Sequence, residues 1–104
     1  MSGFETDDLK LMRRSATEAA ALLRAISHEA RLLVLCELTS GERSAGELVQ
    51  RSGLSQSALS QHLAKLRAEG LVATRREAQV IHYRIADQRA QRVLRALYQI
   101  YCRK

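Results

Sequence analysis

The stretch Ser44–Gly70, SAGELVQRSGLSQSALSQHLAKLRAEG, decides the fold. Ser44 followed three residues on by Glu47 is a capping-box signature for a helix start. Leu48 and Val49 supply the apolar side of that helix. Gly53 tolerates the positive φ that a tight turn between two helices requires. Leu54 tucks the turn inward, and Ser55 is suited to cap the second helix. There Leu59, Leu63 and Leu66 recur at helical spacing and face the core. Around them stand Gln56, Ser57, Ser60, Gln61 and His62, all uncharged and rich in hydrogen-bonding groups. A helix that enters a major groove needs such a slim polar face, with donors and acceptors for base edges. A helical hairpin with a merely solvated face more often carries Glu and Lys. The stretch therefore reads as a helix-turn-helix, with Ser55, Gln56, Ser57, Ser60, Gln61 and His62 as DNA contacts.

Beyond Gly70 the periodicity changes from helical to alternating. Val72 and Thr74 alternate with Ala73 and Arg75, and after Glu77-Ala78-Gln79 the run Val80–Ile85 reads as a second strand. Two strands directly after a recognition helix make a wing. Arg75, Arg76, Gln79, His82 and Arg84 make it basic, suited to phosphates or an adjoining minor groove, with Arg75 and Arg76 the foremost candidates. Asp87 is placed to cap a last helix from Gln88 to about Cys102, whose stripe is Ala90, Val93, Leu94, Leu97, Tyr98 and Tyr101.

Upstream, residues 1–5 are expected to fray. Leu9, Met12, Ala16, Ala19, Leu23 and Ile26 give a long first helix over Thr6–Ile26, rich in alanine on one side. Ser27 is expected to cap a second, largely apolar and buried helix from His28 to Thr39, which Gly41 ends. The first and last helices together suit a two-fold interface. That would set two recognition helices about one DNA turn apart, on an inverted-repeat operator.

The 104 residues make one domain, with a net charge of +6. That charge is unevenly placed. Residues 1–40 carry −1, with five Lys/Arg against six Asp/Glu, whereas residues 41–104 carry +7, with twelve against five. The basic excess lies with the helix-turn-helix, the wing and the last helix, so a polyanion, double-stranded DNA, is the natural partner. There is no apolar run of about 18 residues to span a membrane. The N-terminus lacks the order of a signal peptide, and a cytoplasmic location is expected. No phosphate-cradling glycine loop or nucleophile–base pairing suggests an enzyme.

The order helix, helix, helix-turn-helix, wing, helix resembles the ArsR/SmtB family of dimeric winged-helix repressors, over roughly residues 15–102. The fold class expected is mainly α, with a small two-stranded wing, in the order α-α-α-α-β-β-α. SGLSQSALSQHLAKLRAEGLVATRREAQVIHYRI is similar to the family's recognition helix and wing, and ISHEARLLVLCEL to its second helix. Many members of that family bind metals through cysteines at the start of the first helix of the helix-turn-helix, but Glu42-Arg43-Ser44-Ala45-Gly46-Glu47-Leu48 stands there in this chain. A second family site uses Asp, His, His and Glu along the last helix. Asp87 matches, while Arg89, Ile100 and Arg103 hold the other places, and neither isoleucine nor a cationic arginine ligates a metal. No metal or other cofactor is expected.

Two cysteines remain, Cys36 and Cys102. The pair resembles the sulfide- and persulfide-responsive branch of the family (BigR, SqrR, YgaV and HlyU). The resemblance implies that reactive sulfur species persulfidate one thiolate, the second cysteine attacks, and a polysulfide bridge shifts the dimer to a form that releases its operator. By itself, a lone cysteine on an apolar helix face such as Cys36 is usually a small buried hydrophobe. Beside Cys102, Arg103 and Lys104 favour thiolate while the helix C-terminus opposes it. Alternatives keep the DNA binding and change the inducer to a metal ion, haem or a general oxidant that forms a disulfide. A further alternative, from another class, is a winged-helix module that binds protein.

Overall fold

The computed structural model describes residues 4–103. In chain order the elements are α1 (Thr6–Ile26), α2 (Glu29–Leu38), β1 (Arg43–Ser44), α3 (Ala45–Ser52), α4 (Gln56–Ala68), β2 (Val72–Glu77), β3 (Val80–Ile85) and α5 (Gln88–Tyr101). The helix-turn-helix is held by local chemistry. The Ser44 hydroxyl accepts the Glu47 amide at 3.1 Å, and the Glu47 carboxylate accepts the Ser44 amide at 3.0 Å, which closes the capping box. Gly53 adopts φ 72°, the left-handed conformation that ends α3 without a Cβ clash. Ser55 caps α4 by accepting the Ala58 amide at 3.1 Å.

One core joins these elements. Val34, Leu35 and Leu38 of α2 meet Leu48 of α3, Leu59, Leu63 and Leu66 of α4, and Ala90 and Leu94 of α5. Burying each leucine contributes roughly 2 kcal/mol, so the apolar stripe of each helix sets its orientation. α1 buries Ala25 and Ile26 of its last turn in this core, with Leu22 packed partly against it. Residues 6–18 of α1 are exposed, and the molecule measures 52 × 33 × 21 Å.

The structure departs from the sequence reading in four places. The sheet has three strands, in the order β1-β3-β2, rather than two. The added strand is two residues long, too short to announce itself by alternation, and pairs Arg43 with Tyr83 and Ser44 with His82. Second, α2 is capped by His28 and not by Ser27: the His28 Nδ1 accepts the Ala30 amide at 3.1 Å. An imidazole acts as the acceptor here, a role usually filled by Ser, Thr, Asp or Asn. Third, α2 is not buried throughout. Leu33 is 52% exposed, and the Cys36 side also faces outward. Fourth, fraying does not extend through residue 5: Glu5 is the N-cap of α1, its amide donating to the Asp8 carboxylate at 3.3 Å. The rest of that expectation, residues 1–3, lies outside the described residues.

Candidate nucleic-acid interface and thiol pair

α4 separates its two faces cleanly. Leu59, Leu63 and Leu66 are buried, while Gln56, Ser57, Ser60 and Gln61 are exposed, followed by the small exposed Ala64 and Ala68. Residues four apart share a helix face, so Ser57, Gln61 and Lys65 form one row with Gln56, Ser60 and Ala64 beside it. No bulky side chain hinders the approach of this face to a groove. Ser55 is exposed at its leading end, with its hydroxyl occupied as the cap.

His62 does not join that face. Its ring packs against His28, with centroids 4.6 Å apart and planes tilted by 49°. Burial lowers its pKa, and the nearby His28 and Arg31 lower it further. The structure thus places this imidazole beside His28 at the start of α2, rather than on the exposed polar row where a DNA contact was expected.

The wing is a tight hairpin. β2 and β3 pair from Val72↔Ile85 to Glu77↔Val80, leaving Ala78 and Gln79 as the tip. Strand alternation puts Arg75, His82 and Arg84 on one face and Arg76, Ile81 and Tyr83 on the other. The foremost sequence candidates thus point in opposite directions. Arg75 is also engaged: its guanidinium donates to the Glu42 carboxylate at 2.6 Å and lies 3.5 Å from Glu77. These bonds hold the Glu42 carboxyl below the usual range. His82 lies half-buried beneath the same pair, 3.9 Å from Glu42 and 3.6 Å from Glu77. Arg76, Gln79 and Arg84 are exposed, and among the described residues the Arg76 guanidinium donates only a 3.3 Å bond to the Ala78 carbonyl.

The thiols form a second candidate site. Both cysteines are free and exposed, Cys36 in the last half of α2 and Cys102 at the C-cap of α5. Burial of its surroundings raises the Cys36 pKa, and negative charge at Cys102 and Glu37 raises it further. Two thiols 66 positions apart in sequence are thus electrostatic neighbours in the fold. Among the described residues, no three His, Cys, Asp or Glu side chains cluster as a metal site would require.

Known proteins share this fold. The model for bacterial regulatory proteins of the arsR family matches residues 28–74, which run from the cap of α2 into β2. The biofilm growth-associated repressor of Agrobacterium fabrum is 48% identical over 94 residues, covering 90% of this chain and 80% of that protein. The chain belongs to the arsR family. The transcriptional activator HlyU of Vibrio cholerae is 45% identical over 95 residues, 91% of this arsR-family chain and 88% of HlyU. The crystal structure of the transcriptional repressor BigR from Xylella fastidiosa superposes with a TM-score of 0.86 at 43% identity, over 91% of this chain and 97% of that one. The fold is thus that of a winged helix-turn-helix regulator of transcription, a DNA-binding class, in the branch with BigR and HlyU.

Two partners in this arsR-family site were missed from sequence, Glu42 and His28. Glu42 lies 33 positions from Arg75, and nothing local marks the pairing. His28 had a local signal, because an imidazole just ahead of Glu29 and an apolar run sits where a helix cap belongs.

Proposed function

We propose that the chain is a homodimeric repressor that holds an inverted-repeat operator and releases it when Cys36 and Cys102 react with persulfides. Gln56, Ser57, Ser60 and Gln61 read base edges, and Arg76, Gln79 and Arg84 contact the backbone beside them, with Arg75 available once Glu42 lets go. The observation that carries the switch is the pair of free, exposed thiols, one on α2 and one at the C-cap of α5. The dimer is supported by apolar side chains left in water: Leu9, Met12 and Leu23 on α1, and Tyr98 and Tyr101 on α5, are all more than 40% exposed.

The chemistry balances without an external oxidant beyond the persulfide. A cysteine thiolate attacks the outer sulfur of a donor RSSH, forming Cys–SSH and releasing RS⁻. When both cysteines carry a persulfide, the outer sulfur of one attacks the inner sulfur of the other. A trisulfide forms and hydrosulfide leaves. The bridge ties α2 to α5, the helix read as half of the dimer interface, and so alters the spacing of the two recognition helices.

The test is intact mass of the reduced protein after a glutathione persulfide donor, alongside a sample treated with peroxide. Expected from the persulfide is a Cys36–Cys102 cross-link holding extra sulfur, with loss of operator affinity. A plain disulfide from both reagents would replace this reading with a general oxidant sensor. For the reading head, Gln61→Ala is expected to lower operator preference more than non-specific binding in a competition titration. Equal losses would remove Gln61 from base recognition.

A further inference from the structure

Beside the C-terminal end of the recognition helix, where Lys65 closes its exposed polar row, lies a cleft of about 560 Å³. α1, α2, the C-terminal half of α4 and the start of α5 all line it. Its volume falls within the range of small-molecule sites, about 300–1,000 Å³. It lies apart from the thiol pair, since neither cysteine lines it.

The chemistry of its walls is specific. Four cations face it: Arg24 of α1, Arg31 of α2, Lys65 of α4 and Arg89 of α5. Arg89 is spoken for, with Asp87 at 2.8 Å and Glu18 at 3.4 Å. Among the described residues, the side chains of Arg24, Arg31 and Lys65 make no hydrogen bond or ion pair. Arg31 is the most telling, because its Nε is buried without any hydrogen-bond partner. Leaving a buried guanidinium N–H without an acceptor is costly, so it marks a place where an acceptor belongs. Glu69 is the one carboxylate on the wall without a cation partner among the described residues, and it leaves the cations in excess. Leu22, Ala25 and Leu71 provide an apolar floor. An oxyanion alone would leave that floor wet, and a purely apolar guest would leave the cations unmatched.

We infer that this cleft is a binding site for a small organic carboxylate, its anionic head on Arg31 and Lys65 and its apolar body on Leu22 and Leu71. The inference goes beyond the thiol switch and stands whether or not that reading holds. It gives the regulator a second input. A guest bridging α1, α2, α4 and α5 ties the recognition helix to the helices proposed to form the dimer, and so biases the angle between them.

Octanoate is a suitable probe, titrated by isothermal calorimetry and by amide NMR into the reduced full chain, with octan-1-ol and inorganic phosphate as controls. Saturable binding of octanoate is expected, with the largest shifts around Leu22, Arg31, Lys65 and Leu71. Octanol and phosphate should each bind at least about tenfold more weakly, because each lacks one half of the match. Arg31→Met keeps the aliphatic stem and removes the charge, and should weaken octanoate about tenfold. Lys65→Met provides the same test at a surface position if the Arg31 variant folds poorly. Octanoate shifts that do not saturate, that spread over the whole surface, or that persist unchanged in Lys65→Met would overturn the site. Equal affinity for octanol would show an apolar crevice with no anion recognition. None of these readouts involves DNA or the cysteines, so failure here leaves the thiol switch untouched.

Discussion

At Glu42 a carboxylate occupies the guanidinium that a DNA phosphate would need. Arg75 is matched to it at 2.6 Å, in a partly exposed setting where solvent screens such a pair. The contact is thus cheap to exchange for a phosphate. Glu42→Gln should free Arg75, tighten non-specific DNA binding about threefold at low salt and steepen the salt slope by about 1. An unchanged slope in a fluorescence titration would show that Arg75 stays off the DNA. The thiols allow a second test at this scale. Negative charge at Cys102 helps to raise the Cys36 pKa. Cys102→Ser should therefore move the pH midpoint of Cys36 alkylation downward, and a midpoint that does not move would mean that the thiols do not sense each other. Because Cys36 is shifted upward, its alkylation in the wild type should still be accelerating with pH beyond the point where an ordinary cysteine has levelled off.

Among the elements, α5 shows most directly how local chemistry supports the site. Asp87 caps it, accepting the Arg89 amide at 2.8 Å, while the Arg89 guanidinium returns to the same carboxylate. Those bonds hold the Asp87 pKa below its ordinary value of 3.8. A depressed carboxylate stabilises the fold fully above its unfolded pKa and loses that contribution as the pH falls through the folded one. Asp87→Ala should cost about 1 kcal/mol at pH 7 in chemical denaturation. The difference from wild type should shrink below the ordinary aspartate range, as the wild-type carboxylate itself becomes protonated. A constant difference down to acid pH would mean that Asp87 acts by packing alone. The bounds of α1, both caps of the helix-turn-helix and the Asp87 cap were legible in sequence, because each depends on residues at most four apart. The cap of α2 lies one position from where the sequence suggests, since Ser27 and His28 are both capable acceptors and only the backbone path chooses between them.

For the whole molecule, the exposed apolar residues of α1 and the exposed tyrosines of α5 carry the dimer proposal. Leu23 is 55% exposed and Tyr98 is 55% exposed, a poor arrangement for a lone chain of this size. Sedimentation of the wild type should give twice the 11.7 kDa chain mass, and Leu23→Asp with Tyr98→Asp should give the monomer. The dimer should bind its operator with a slope of log K against log salt near about −7, if about eight phosphates are contacted. The monomeric variant should lose roughly half of that slope along with most of its affinity. A wild type that sediments as a monomer and still prefers one operator would end the two-fold reading.

Pattern along the chain was enough to establish the helices, the turn at Gly53, the wing, the inward leucines of α4 and the basic bias of residues 41–104. Those features arise from periodicity, capping and composition, which act over a few residues and survive in any fold that uses them. What only the tertiary structure decided was which side chains meet. It turned His62 inward onto His28, matched Arg75 to Glu42, added β1 to the edge of the sheet, brought Cys36 under the influence of Cys102, and left Arg31 unpaired in a basic cleft. Each of these joins residues from different elements, and such encounters are set by how the apolar faces pack together, a property of the whole chain that no local window contains.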